Sequence, residues 1–455
     1  MSTSRAHDGP DDDAPPRGAP GRTSLRDLAD ATPAHRDRYV DLLRAAAILT
    51  VVLGHWLVSA VTVEDGRLDG VNVLDELSWT HPLTWLFQVM PVVFLVGGYA
   101  NAASWATHRR RGGTAPAWVL ARALRLLRPA VIFLAALVGG YAVALAAGVD
   151  PVVVRRSVWA AGLSLWFLVV YLAVVSLAPL LLAWHARQGL VGTLPLVGVV
   201  AAGDAARVLT GSDDAAAASY LLAWVAMHQL GAAWRDGTLT RTRAPAVTLA
   251  AGGLLTAVVL TAWGPYGVTM VGAAPPPDLT NTAPPTLALL ALAAGQTGVL
   301  LLLRPVADRW LTRRRVWIGV VAVNGVAFTL YLWHMVPVVV AGAALVATGL
   351  FPEPAVGSAQ WWWLRPPWFA VLAVLLAAIV AVAGRSERRS APSAGETPSA
   401  RVVGAGVVAC VGGLAGLGFG GTDGVLPTVA GVPAAELGLV AGGFALLSWA
   451  GRRAQ

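Results

Sequence analysis

Residues 38–56 read RYVDLLRAAAILTVVLGHW. The ten residues between Arg44 and His55, AAAILTVVLG, carry no charge. With the apolar residues that follow, the stretch spans roughly 40–61. A bilayer core takes about 20 apolar residues as helix, so this is a membrane span. An ionisable side chain inside such a span costs about 2.5–3.5 kcal/mol on insertion scales, so each one calls for a reason. Arg44 and His55 lie close to three turns apart at about 3.6 residues per turn, which puts both on one face, about 16 Å apart along the axis. Asp41 stands three residues before Arg44, within pairing reach. Snorkelling to the surface accounts for Arg44 as well as function does. It does not account for the deeper His55, which is the stronger candidate.

The same signal recurs along the chain. Further spans are expected at roughly 83–104, 129–148, 160–183, 190–210, 217–234, 245–264, 286–303, 317–346, 368–383, 402–420 and 434–450. The ninth, 317–346, is long enough to require tilt or a kink near Pro337. Composition agrees: of 455 residues 56% are hydrophobic and only 13% charged, where a soluble domain carries about 25% charged residues. Mean hydropathy is +0.64. A disordered chain is excluded as a reading of the whole, and a water-soluble globular domain is disfavoured. The expected fold is all-α, a polytopic transmembrane helix bundle with a ten-span core and a C-terminal pair, twelve spans in all. Residues 1–38, rich in Asp, Pro, Arg and Ala, are expected to be a disordered cytoplasmic tail without a cleavable signal peptide. The core is expected over 39–384, a cytoplasmic linker over 385–401 and the terminal pair with a short tail over 402–455.

All 33 basic residues are Arg. With the N-terminus placed in the cytoplasm and the spans alternating, the cytoplasmic segments hold 27 of them and the outer loops hold Arg67, Arg155, Arg156 and Arg365. That asymmetry follows the positive-inside rule and puts both termini in the cytoplasm. Dispersed between apolar spans, the Arg residues are topology signals, and no nucleic-acid partner is expected. Cys410 is the single cysteine. It forms no internal disulfide and no metal–thiolate cluster, and no metal site is expected.

Other groups stand out where hydrocarbon disfavours them. The ninth span carries FTLYLWHMVP, with Tyr331 and His334; counted from the cytoplasmic side, His334 and His55 share a depth. His228 lies in the sixth span. For His228 and His334 a hydrogen-bonded packing role competes evenly with function. Asp204 and Arg207 are placed for a mutual structural pair. Arg122, Arg125 and Arg128, in ARALRLLRP, precede the third span at intervals of three. They are topology charges or a phosphate-binding patch, since guanidinium pairs with phosphate through charge-assisted bonds.

Taken in order, five segments resemble acyltransferase family 3, polytopic membrane acyltransferases that decorate bacterial envelope sugars and some secondary metabolites. They are RYVDLLRAAAILTVVLGHW, QVMPVVFLVGGYANAASW, RALRLLRP, LSLWFLVVYL and TLYLWHMVP. The resemblance covers most of residues 38–384, and MVGAAPPPDLTNTAPPTLALLALAAGQ is similar to a loop and span of actinobacterial-type members. Gly97–Gly98 stands where many members have Ser-Gly, and the terminal pair lies beyond the usual ten spans. The resemblance implies transfer of an acyl group, acetyl in the first instance, from cytoplasmic acyl-CoA as co-substrate, with no tightly bound cofactor. The acceptor is a hydroxyl of an envelope saccharide, lipid or secondary metabolite. The sequence shows no hydrolase-like outer domain of the sort some members use, so direct transfer in the plasma membrane is expected. On this reading His55 is the general base, Arg44 acts on the donor, and Arg122, Arg125 and Arg128 hold CoA phosphates. Tyr331, His334, Trp166 and His228 line the acceptor pocket. A transporter or flippase for an envelope lipid or glycan is the competing function, since buried His and Arg suit transport too. A glycan polymerase is disfavoured by the modest outer loops.

Overall fold

In hydrocarbon every backbone N–H and C=O must find its partner within the segment, which leaves helix as the solution for isolated apolar runs. The computed structural model follows that constraint over its described residues, 24–33, 36–64, 67–272, 278–384, 397–420, 428 and 431–453. The order begins α1 (Leu25–Asp30), α2 (Arg38–Val58), β1 (Ser59–Glu64), β2 (Arg67–Asn72), α3 (Val73–Glu76), α4 (Thr84–Phe87) and α5 (Met90–Arg110). It continues with α6 (Ala115–Ala146), α7 (Pro151–Ala161), α8 (Leu165–Gln188), α9 (Leu194–Thr210), α10 (Ser219–Arg235), α11 (Ala244–Trp263) and α12 (Leu287–Leu311). Then come α13 (Arg314–Asn324), α14 (Ala327–Trp333), α15 (Val336–Ala347), α16 (Ala359–Ala383), α17 (Ala400–Phe419) and α18 (Ala434–Arg453).

The protein is an all-α polytopic bundle, and each of the twelve expected spans coincides with helix. Among the described residues 10 stretches are long and apolar enough to cross a membrane; one of them, Pro151–Thr210, contains both α8 and α9. Helix α10 is shorter, at 17 residues. Close packing rests on small residues, as between membrane helices generally. A Cβ at Gly98 of α5 would collide with the His228 carbonyl oxygen of α10, and one at Gly231 would collide with the Leu95 carbonyl oxygen of α5.

Three expectations are corrected. Within the segment read as a disordered tail, residues 25–30 form α1. Ser24 closes a capping box with Asp27, Ala29 is buried, and Trp317 donates its indole N–H to the Ala29 carbonyl. The neighbouring Arg314 pairs with Asp30 at 2.6 Å. Residues 1–23 and most of the expected linker, 385–396, lie outside the described residues. The ninth span is three helices, α13, α14 and α15, broken at Gly325–Val326 and again at His334–Met335. Pro337 sits in the first turn of α15 and lacks the N–H that would have bonded one turn back, so the second break falls beside it. The tenth span starts at Ala359 rather than near 368, capped by the Ser358 hydroxyl on the Trp361 N–H. This carries Arg365 into a helix instead of a loop. The expected pair of Asp204 and Arg207 is present at 3.9 Å, and each side chain has further partners. Asp204 accepts from Tyr266 and from the Leu287 N–H, while Arg207 holds Asp213 at 2.8 Å and donates to the Thr280 carbonyl at 3.4 Å, so the pair ties Tyr266 and Thr280 of the 264–286 loop to α9.

The terminal helices are not an appendage. Val403, Val407, Cys410, Leu414, Val440 and Leu447 belong to the same apolar core as Phe94, Phe133, Phe167, Leu168 and Tyr331. Helix α17 lies on α8, and α18 on α6.

Candidate active site

Helix α2 is unbroken from Arg38 to Val58, so Arg44 and His55 share one rigid rod. His55, partly exposed, bonds through Nδ1 to the Val51 carbonyl at 3.0 Å. His334 arrives from the break between α14 and α15, buried at 1% exposure. Its Nδ1 bonds to the Tyr331 carbonyl at 2.6 Å. The rings of His55 and His334 are 4.8 Å apart. A carbonyl oxygen only accepts, so each Nδ1 carries the proton and each neutral ring presents a bare Nε2. The His334 Nε2 is buried and has no hydrogen-bond partner.

The break that frees His334 also frees its carbonyl, which accepts the Trp56 indole N–H at 2.8 Å. Tyr331 donates its hydroxyl to the Ser164 carbonyl at 3.1 Å, and the Ser164 hydroxyl donates to the Leu332 carbonyl at 3.3 Å. These bonds tie α14 to the start of α8. Behind Ser164 stands the end of α17, where a Cβ at Gly418 would be 3.0 Å from the Trp166 amide nitrogen.

A column of rings leads away from the histidines. Tyr331 lies 4.9 Å from Phe167, and Phe167 stacks on Tyr171 at 5.1 Å. Arg122 points a guanidinium N–H at Asn101 Oδ1, 3.5 Å away, and lies over the Trp118 ring at 5.0 Å. Asn101 in turn is 3.3 Å from His228 Nε2. Arg44 pairs with Asp41 at 3.2 Å, as the spacing implied. Asp41 also binds Arg36, whose guanidinium is held above its ordinary pKa by that hydrogen bond.

The residues named from sequence therefore divide into two groups. His55, His334 and Tyr331 come together at one end of the column. Arg44, paired with Asp41, and Arg122, directed at Asn101, stand apart from them. His228 lies with Asn101 and Arg122, away from the histidine pair. Trp166 packs on Trp224 at 5.9 Å, and it is the next residue, Phe167, that meets Tyr331. Arg125 is exposed and Arg128 half-buried, because a step of three residues rotates successive side chains away from Arg122. Sequence reasoning passed over Asn101, Tyr171 and Arg365. Asn101, fully buried within a span, was the most legible of them. Among the described residues no group of three His, Cys, Asp or Glu side chains is placed to hold a metal ion.

Fold and site together define an integral membrane protein with a paired-imidazole centre between its first and ninth spans. The family model for the acyltransferase domain of acyltransferase family 3 matches residues 37–385, and the chain belongs to that family; it is a membrane acyltransferase. No curated protein and no solved structure matches the chain.

Proposed function

We propose that the protein transfers an acyl group, acetyl in the simplest case, from cytoplasmic acyl-CoA to a hydroxyl of an envelope saccharide, lipid or secondary metabolite. The observation that carries this reading is the meeting of His55 and His334, 4.8 Å apart, at the end of an aromatic column through Tyr331, Phe167 and Tyr171. A hydroxyl attacks a thioester slowly unless its proton leaves as the C–O bond forms, and imidazole is suited to take it. His55 is the better base of the two. Its Nε2 is bare, and its ring is partly exposed while His334 is enclosed. In the proposed step the acceptor oxygen adds to the thioester carbonyl and its proton passes to His55 Nε2. The C–S bond then breaks, and the CoA thiolate takes the proton back as the thiol.

Arg122 and Arg44 would hold CoA phosphates, with Arg125 and Arg128 nearer the rim. The length of α2 between Arg44 and His55, about 16 Å, suits an extended pantetheine arm lying along the rings. His334 and Tyr331 would shape the acceptor side. The Arg distribution supports a plasma-membrane orientation with both termini cytoplasmic. The test is CoA release and acyl transfer by purified His55→Ala in proteoliposomes, at matched protein levels. Turnover near that of the unaltered protein would remove His55 from the mechanism.

A further inference from the structure

Arg365 is 7% exposed, yet among the described residues it pairs with no carboxylate. One nitrogen, Nη1, donates to the carbonyls of Trp56 and Ser59 at 3.3 and 3.2 Å, and the guanidinium lies 3.7 Å from the Trp361 ring centre. The Nε and Nη2 atoms are buried and have no hydrogen-bond partner. Capping the last carbonyls of α2 explains Nη1 and nothing more. A buried cation without a counter-charge is unfavourable, and the idle Nε–Nη2 edge is the edge that takes two phosphate oxygens side by side.

The second observation is the groove beside it. An apolar cleft of about 680 Å³ runs between α2, α14 and α16. Leu49, Val52 and Trp56 form one wall, Leu330 the floor, and Ala373 and Ala377 the other wall. Trp56 joins the two features: it is among the residues that line the cleft, and its carbonyl holds Arg365. On α16, Arg365 and Leu376 are eleven residues apart and so share a face, and Ala373 begins the cleft about 12 Å from Arg365. The cleft opens between apolar spans, with Leu49 and Leu53 at 48% and 43% exposure.

We propose that this end of α2 binds one anionic phospholipid, its phosphate on Arg365 and an acyl tail in the cleft. Charge complementarity selects the headgroup and the apolar walls select the tail. A water-soluble phosphate ester would leave the cleft empty, and an uncharged lipid would leave the guanidinium unmatched.

The experiment is native mass spectrometry of the full-length protein, stripped of lipid and offered dioleoylphosphatidylglycerol, dioleoylglycerol or glycerol 3-phosphate. It needs no acyl-CoA, so it stands or falls apart from the acyl-transfer reading. The expected result is one phosphatidylglycerol retained per chain, with little of either other probe. Arg365→Gln should cut retention at least fivefold. Ala377→Trp, which fills the cleft and leaves Arg365 in place, should do the same at an unchanged unfolding temperature. Equal retention of phosphatidylglycerol in either variant would overturn the proposal. So would retention of dioleoylglycerol or glycerol 3-phosphate as strong as that of phosphatidylglycerol.

Discussion

His55 and His334 come from different spans, and each commits its Nδ1–H to a carbonyl earlier on its own chain. That common tautomer is what allows either Nε2 to take a proton. Removing the base is expected to lower acyl transfer by about 10²- to 10⁴-fold, the usual worth of a positioned general base; the His55→Ala assay measures it. A His334→Ala protein that retains full turnover would show that the second ring is packing alone. Arg122→Ala should raise the KM for acyl-CoA about tenfold or more, the scale of a lost charge-assisted bond, and move the acceptor KM far less. Equal movement of both constants would count against a phosphate role. These residues were visible in the sequence because each is ionisable within an apolar run. Arg365 was not, because WWWLRPPW looks like a loop between spans: two prolines sit where a helix interior tolerates them poorly. The structure nevertheless begins the helix at Ala359, which places those prolines within it.

At the scale of elements, hydropathy made every span legible, since a bilayer fixes the length that a crossing helix must have. It did not fix where a span breaks. Pro337 pointed to the second interruption of the ninth span, and the first opens at Asn324–Gly325, a turn-favouring dipeptide that hydropathy does not register. Nor does hydropathy foresee β1 and β2, whose pairing of Ser59–Glu64 with Arg67–Asn72 depends on the neighbours they rest on. The break at His334–Met335 is held from the outside by Trp56. Trp56→Phe removes one buried hydrogen bond, worth about 0.5–1.5 kcal/mol. It is expected to lower kcat while leaving the KM for acyl-CoA unchanged; an unaltered kcat would mean that His334 keeps its place without the indole. The α5–α10 contact tolerates no side chain at Gly98. Gly98→Val should therefore destabilise the bundle by about 1–3 kcal/mol, the range for overpacking, measured as a fall in unfolding temperature in detergent.

For the molecule as a whole, the family match ends at residue 385, but the core does not. The terminal helices press on α6 and α8, and Gly418 lies against the backbone of Trp166, next to the Ser164 that anchors Tyr331. Gly418→Leu is expected to disturb turnover without changing the KM for acyl-CoA, because the pressure falls on the histidine end of the ring column. A rise in that KM with unchanged kcat would contradict this. Sequence alone assigned the pair no role, since a contact between a glycine and a distant backbone leaves no trace in periodicity.

The hairpin of β1 and β2 follows α2 with no intervening residue, Val58 to Ser59, four positions after His55. Its Val61 and Leu68 rest against Gly342 of α15, the helix that follows His334. Asp69 is roped to Arg156 of α7 at 3.1 Å. One small ribbon thus grips the scaffolds of both rings from the far side, like a strut across a hinge. An antibody fragment that clasps the ribbon should therefore throttle turnover noncompetitively, by shifting one imidazole against the other, without touching either ring.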